Sequence, residues 1–122
     1  MLKKCFYILA LTVGLSACYY DKEEELYPAD PNACDTVNVS YSKTVLPMLQ
    51  SQCYVCHSQA AAQGNVVVEG YNNLKPQVDN GNFFGAINHE PGFSPMPQGG
   101  HKLPDCTLKQ IKSWIAKGAP ND

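Results

Sequence analysis

Apolar residues recur at helical spacing in three stretches of this chain. In "SYSKTVLPMLQSQC", Val45, Met48, Leu49 and Gln52 share one helix face. Pro47 is tolerable only in a first helical turn, so the helix is expected to begin near Thr44. "YNNLKPQV" sets Tyr71, Leu74 and Val78 on one side of a short helix that Asn80 and Gly81 end. "NFFGAIN" allows one or two further turns. The last pattern is the clearest: Leu108, Ile111, Trp114 and Ile115 form a stripe, Asp105 is the expected N-cap, Gly118 the stop, and Pro120 follows. Between these stretches, residues 58–70 read as loop with a short extended piece at Val66 to Val68. Residues 89–104, "HEPGFSPMPQGGHKLP", hold four prolines and three glycines and exclude regular structure. The pattern predicts an all-α body with long loops and a thin core. At about 85 residues, such a body calls for a covalent staple or a cofactor.

The first residues follow a different rule. Lys3 and Lys4 precede "CFYILALTVGL", an apolar run too short to span a bilayer comfortably. The run ends at "LSAC", where small residues before Cys18 resemble the lipobox of bacterial lipoproteins; an ordinary signal peptide ahead of a free thiol is the other reading. Residues 1–17 are expected to be a lipoprotein signal peptide, with Cys18 lipidated as the first mature residue. Residues 18–33, rich in acid and proline, form an expected flexible tether, and 34–122 the folded domain. The acidic run also resembles surface-export signals of some Bacteroidetes lipoproteins. Either way the protein is expected to be exported and lipid-anchored to a bacterial membrane, on the periplasmic face or the outer surface.

The chain has nine lysines, no arginine and eleven acidic residues. Without Lys3 and Lys4 it carries a net charge near −4. Nothing here makes the basic face that nucleic-acid binding requires. Six cysteines narrow the chemistry further. Cys5 leaves with the signal and Cys18 takes lipid, while Cys53 and Cys56 stand together in "CYVCH". Cys34 and Cys106 remain, a pair in an oxidising compartment. A disulfide between them would close a loop of 72 residues, worth about 4 kcal/mol in the chain-entropy model. Two separate buried thiols are the alternative.

"CYVCH" admits three chemistries. A tetrahedral zinc site needs four donors, and neither a second Cys/His pair nor a common direction for Cys56 and His57 is present. A thioredoxin-type dithiol belongs to an alternating strand–helix pattern that this chain lacks. Covalent haem fits best: thiols three residues apart at a helix end can each add to a haem vinyl group, leaving His57 as proximal iron ligand. The macrocycle then supplies apolar surface that the thin core lacks. For the sixth ligand, Met96 lies between Pro95 and Pro97, which restrict its backbone. His89, His101 and an open iron are the competitors. Met48 is too close to Cys53 along one helix and reads as core.

These residues together resemble a class I c-type cytochrome. The likeness runs from "TVLPMLQSQCYVCH" through "GNVVVEGYNNL" and "FSPMPQGG" to "IKSWIAKGAPN", and extends to single-haem lipoprotein cytochromes of Bacteroidetes and cytochrome domains of Planctomycetes. The resemblance implies a small cytochrome c fold with crossing N- and C-terminal helices, where Val45, Leu49, Ile111 and Ile115 meet, and long haem-wrapping loops. It places Trp114 near the haem or its propionates, and Tyr71, Phe83, Phe84 and Phe93 along the pocket. The short body, the missing arginine and the Cys34/Cys106 pair depart from mitochondrial patterns. The expected function is electron transfer by one covalently attached haem c, without enzymatic activity. The expected chain is a monomer meeting redox partner proteins at the membrane that Cys18 tethers it to. Two rivals stand beside it. Peroxidase-like catalysis at an open iron would take His89 or Glu90 as acid–base group; a zinc-binding structural lipoprotein needs no haem at all.

Overall fold

A computed structural model describes residues 33–122. The expected signal peptide at residues 1–17, the expected lipidation site Cys18 and the expected tether as far as residue 32 lie outside the described residues. Residues 34–122 form one unit. Helices and connecting loops make up all of the described residues, with no strand among them; this part of the chain is all-α.

The helical path starts earlier than Pro47 led one to expect. A π-helical turn at Tyr41–Val45 precedes helix α1, Leu46–Gln52. The Lys43 N–H donates to Ser40 Oγ at 3.2 Å, capping the turn. The Leu46 N–H reaches back five residues to the Tyr41 carbonyl. A proline ring crowds the carbonyl four residues before it and offers no donor. A widened turn just upstream of Pro47 accommodates both defects, so the helix runs on where an α-turn would have broken. At Cys53 the backbone shifts to φ −118° and the path continues as the single turn α2, Tyr54–His57. Extended Ser58 ends it.

Helix α3, Tyr71–Asp79, buries Leu74 and Val78; helix α4, Asn82–Ile87, buries Phe83 and Ile87. Gly81, at φ 79°, makes the left-handed corner between them, a conformation that costs glycine little. Helix α5, Asp105–Ala116, buries Leu108, Ile111 and Trp114, while Ile115 is half-buried against the core. Its N-cap position belongs to Pro104, whose extended backbone suits that role; Asp105 is the first helical residue. There its carboxylate still favours the positive end of the helix.

The core is continuous. Val45 and Leu49 are fully buried with Ile111 and Trp114 in one cluster, and the π turn packs against α5. The Trp114 indole N–H donates to the Pro120 carbonyl at 2.9 Å, and its ring stacks on Tyr41 at 6.1 Å. Cys34 and Cys106 are joined in a disulfide. From that bond residues 34–37 run as a strap along α5. Gln110 Nε2 donates to the Asp35 carbonyl (3.0 Å), Ser113 Oγ to that of Thr36 (2.6 Å), and Lys117 Nζ to that of Val37. Cys106, Gln110, Ser113 and Lys117 follow one another at helical spacing, so a polar face opposite the apolar stripe holds the strap.

Candidate cofactor site

α2 gathers the reactive side chains into one turn. The Cys53 carbonyl accepts the N–H groups of Cys56 (3.2 Å) and His57 (2.8 Å), which fixes the motif's backbone. Its imidazole is oriented from across the following loop. His57 Nδ1 lies 3.1 Å from the Val66 carbonyl. A carbonyl can only accept, so Nδ1 carries a proton, and in the neutral ring Nε2 then keeps its lone pair. This is the tautomer a metal-binding histidine needs, held by the outer-shell hydrogen bond that such ligands use. The Val68 N–H, bonded to the His57 carbonyl at 2.9 Å, keeps the loop folded back on α2.

His57 faces a cleft with two adjoining lobes of about 350 and 480 Å³, each within the usual size of a ligand cavity. Cys53, His57, Val66, Ile87, Ser94 and Met96 line both. Val68, Phe83, Ala86 and Phe93 extend the first lobe; Cys56, Pro97 and Leu103 extend the second. Val68, Phe83, Ile87 and Leu103 also belong to the core, so the cleft opens directly onto the domain's interior. Cys53 and Cys56 are free thiols. Burial pushes the Cys53 thiol up to about 11, because a thiolate is poorly solvated there. Burial therefore favours the thiol form of Cys53 over the thiolate.

The donor set fits haem c. Two thiols three residues apart, an imidazole with a free Nε2 and a thioether border one cavity with largely apolar walls. Among the described residues no group of three or more His, Cys, Asp or Glu side chains converges.

Other expected residues divide. Phe83 and Phe93 line the cleft; Tyr71 and Phe84 do not. Tyr71 is committed elsewhere, its hydroxyl donating to the Ala119 carbonyl at 2.7 Å and its ring meeting Tyr41 edge-on at 5.3 Å. Phe84 packs on the core from the side. Trp114 was expected beside the cofactor, yet it is wholly buried beneath Tyr41 and lines neither lobe. His101 is exposed and borders, with Met48, a separate groove between α1 and α5. His89 is half-buried, and its Nε2 lies 2.9 Å from the Met96 carbonyl. Glu90 accepts a hydrogen bond from the Asn88 amide and stays outside both lobes. Sequence reasoning missed the partners that orient the site: the carbonyls of Val66 and Ala86, the latter accepting the Met96 N–H at 3.0 Å. Every residue carries a carbonyl, so no sequence signal marks these two.

Comparisons with family models, with curated proteins and with solved structures find no match to this chain.

Proposed function

We propose that this chain is a membrane-tethered, single-haem c-type cytochrome of the class I kind, carrying one electron at a time between redox proteins. The observation that carries the reading is a convergence: an imidazole with Nδ1 tied to the Val66 carbonyl borders the same cleft as both CxxCH thiols and Met96. When bound, the haem supplies a one-electron iron couple. Cys53 and Cys56 would hold the macrocycle through thioether links, and His57 and Met96 would donate to its iron. The Met96 thioether is a soft, neutral donor that favours the less charged state and so raises the potential. The apolar walls formed by Val66, Val68, Phe83 and Ile87 would work in the same direction once a cofactor filled the cleft. Peroxidase-like chemistry would need a proton-handling group in the cleft, and neither candidate, His89 or Glu90, lines it. In this reading a lipid at Cys18 keeps the carrier near its partners at the membrane.

The haem-loaded Met96→Ala variant tests the assignment. It should lose the sulfur-to-iron charge-transfer band of the oxidised protein and lower the midpoint potential by on the order of 0.1 V. An unchanged band and potential would remove Met96 from the iron.

A further inference from the structure

The loop that delivers Met96 closes on itself. The Ala86 carbonyl at the end of α4 accepts two N–H groups, those of His89 (3.2 Å) and Met96 (3.0 Å). The Glu90 N–H donates to the Gly85 carbonyl at 2.9 Å, and the Phe93 N–H to that of Glu90 at 3.2 Å. The Phe93 ring lies directly over Gly85: a Cβ built there would stand 2.6 Å from ring atoms. One more contact completes the ring. His89 Nε2 lies 2.9 Å from the Met96 carbonyl, so Nε2 carries a proton and donates. His89 stands at φ 56°, the left-handed position that closes α4: its own N–H returns to Ala86 and that of Glu90 to Gly85, the hydrogen-bond pattern of a helix C-terminus.

We infer that His89 is a positioning residue: its ring hydrogen bond to the Met96 carbonyl holds the Met96 side chain at the cleft wall. The inference rests on the reading of Met96 as an iron donor and deepens it. His89 lines neither lobe of the cleft, and its Nε2 is engaged by the Met96 carbonyl. The Met96 backbone is held on both sides, its N–H by Ala86 and its carbonyl by His89. A thioether is a weak donor, so its occupancy depends on how little freedom must be lost to present it. The latch supplies that restraint from a side chain outside the cleft.

Two variants of the haem-loaded protein separate the ring bond from the backbone it rests on. Asparagine tolerates the left-handed conformation but is too short to reach the Met96 carbonyl. Glutamine offers an amide N–H at about the reach of His Nε2. One hydrogen bond of this type weighs about threefold to tenfold in an equilibrium. His89→Asn should therefore raise the apparent affinity of the oxidised protein for added imidazole by about that factor. It should also speed hydrogen exchange at the Met96 amide by a similar factor. His89→Gln should bring both readouts back toward wild type, which a merely structural role for the ring would not do. If His89→Asn leaves imidazole affinity and Met96 exchange within twofold of wild type, or if glutamine recovers neither, His89 does not position Met96. If the wild-type chain carries no haem, the functional reading fails on its own; Met96 exchange, which needs no iron, still decides whether the latch exists.

Discussion

Replacing Cys34 and Cys106 together by serine lowers the stability of the folded domain by about 4 kcal/mol. The disulfide spans a sequence separation of 72, and cross-linking so long a loop restricts the unfolded chain strongly. A second effect works in the folded state. The bond is the first anchor of the strap 34–37, which Gln110, Ser113 and Lys117 then hold to α5. Without it those three side chains alone must hold the strap to α5, and the strap frays. Because the whole stability of a domain this size is of the order of 5–15 kcal/mol, the loss is a large share of it. Urea titration under non-oxidising conditions reads it as a lower midpoint, and wild type with its disulfide reduced should move the same way. A shift below about 1 kcal/mol would mean that the strap, not the bond, stabilises this edge.

Trp114→Ala is the second large effect, also about 4 kcal/mol, or a fall in melting temperature on the order of 20 °C. The side chain is wholly buried, stacks on Tyr41 and satisfies the Pro120 carbonyl. Truncation removes the apolar burial, leaves a cavity and orphans an acceptor. Trp114→Phe keeps most of the volume and loses only the hydrogen bond and some packing, so its cost should be about 1–2 kcal/mol. Because Trp114 lines neither lobe of the cleft, the proposed haem should give whatever fraction of either variant folds the same spectrum as wild type. A displaced spectrum at unchanged stability would return Trp114 to the cofactor's edge.

The stripe Leu108, Ile111 and Trp114 was legible because burial of one helix face imposes its period on the sequence. That the CxxCH group and Met96 would border one cleft was legible for another reason. Their chemistry is confined to a few side chains, and the prolines about Met96 mark a backbone with few choices. The start of the first helix was not, because the π turn before Pro47 is a property of backbone hydrogen bonding that residue types scarcely encode. The N-cap moved from Asp105 to Pro104 because a proline followed by a helix is already extended, while an acid one residue later still profits from the helix field. Trp114 was misplaced by likeness: a tryptophan on the last helix can face either the core or a cofactor, and only the Tyr41 ring and the Pro120 carbonyl decide which. The His89 ring read as a ligand or an exposed group, since nothing in "NHEPGF" reveals that its partner is a carbonyl seven residues on.

The intact mass of the mature wild-type protein, made in a host competent for cytochrome maturation and measured after denaturation, tests the central claim most directly. The account predicts polypeptide and lipid plus the mass of one haem, and loss of that increment when Cys53 and Cys56 are both replaced by serine. A mass of polypeptide and lipid alone would contradict it.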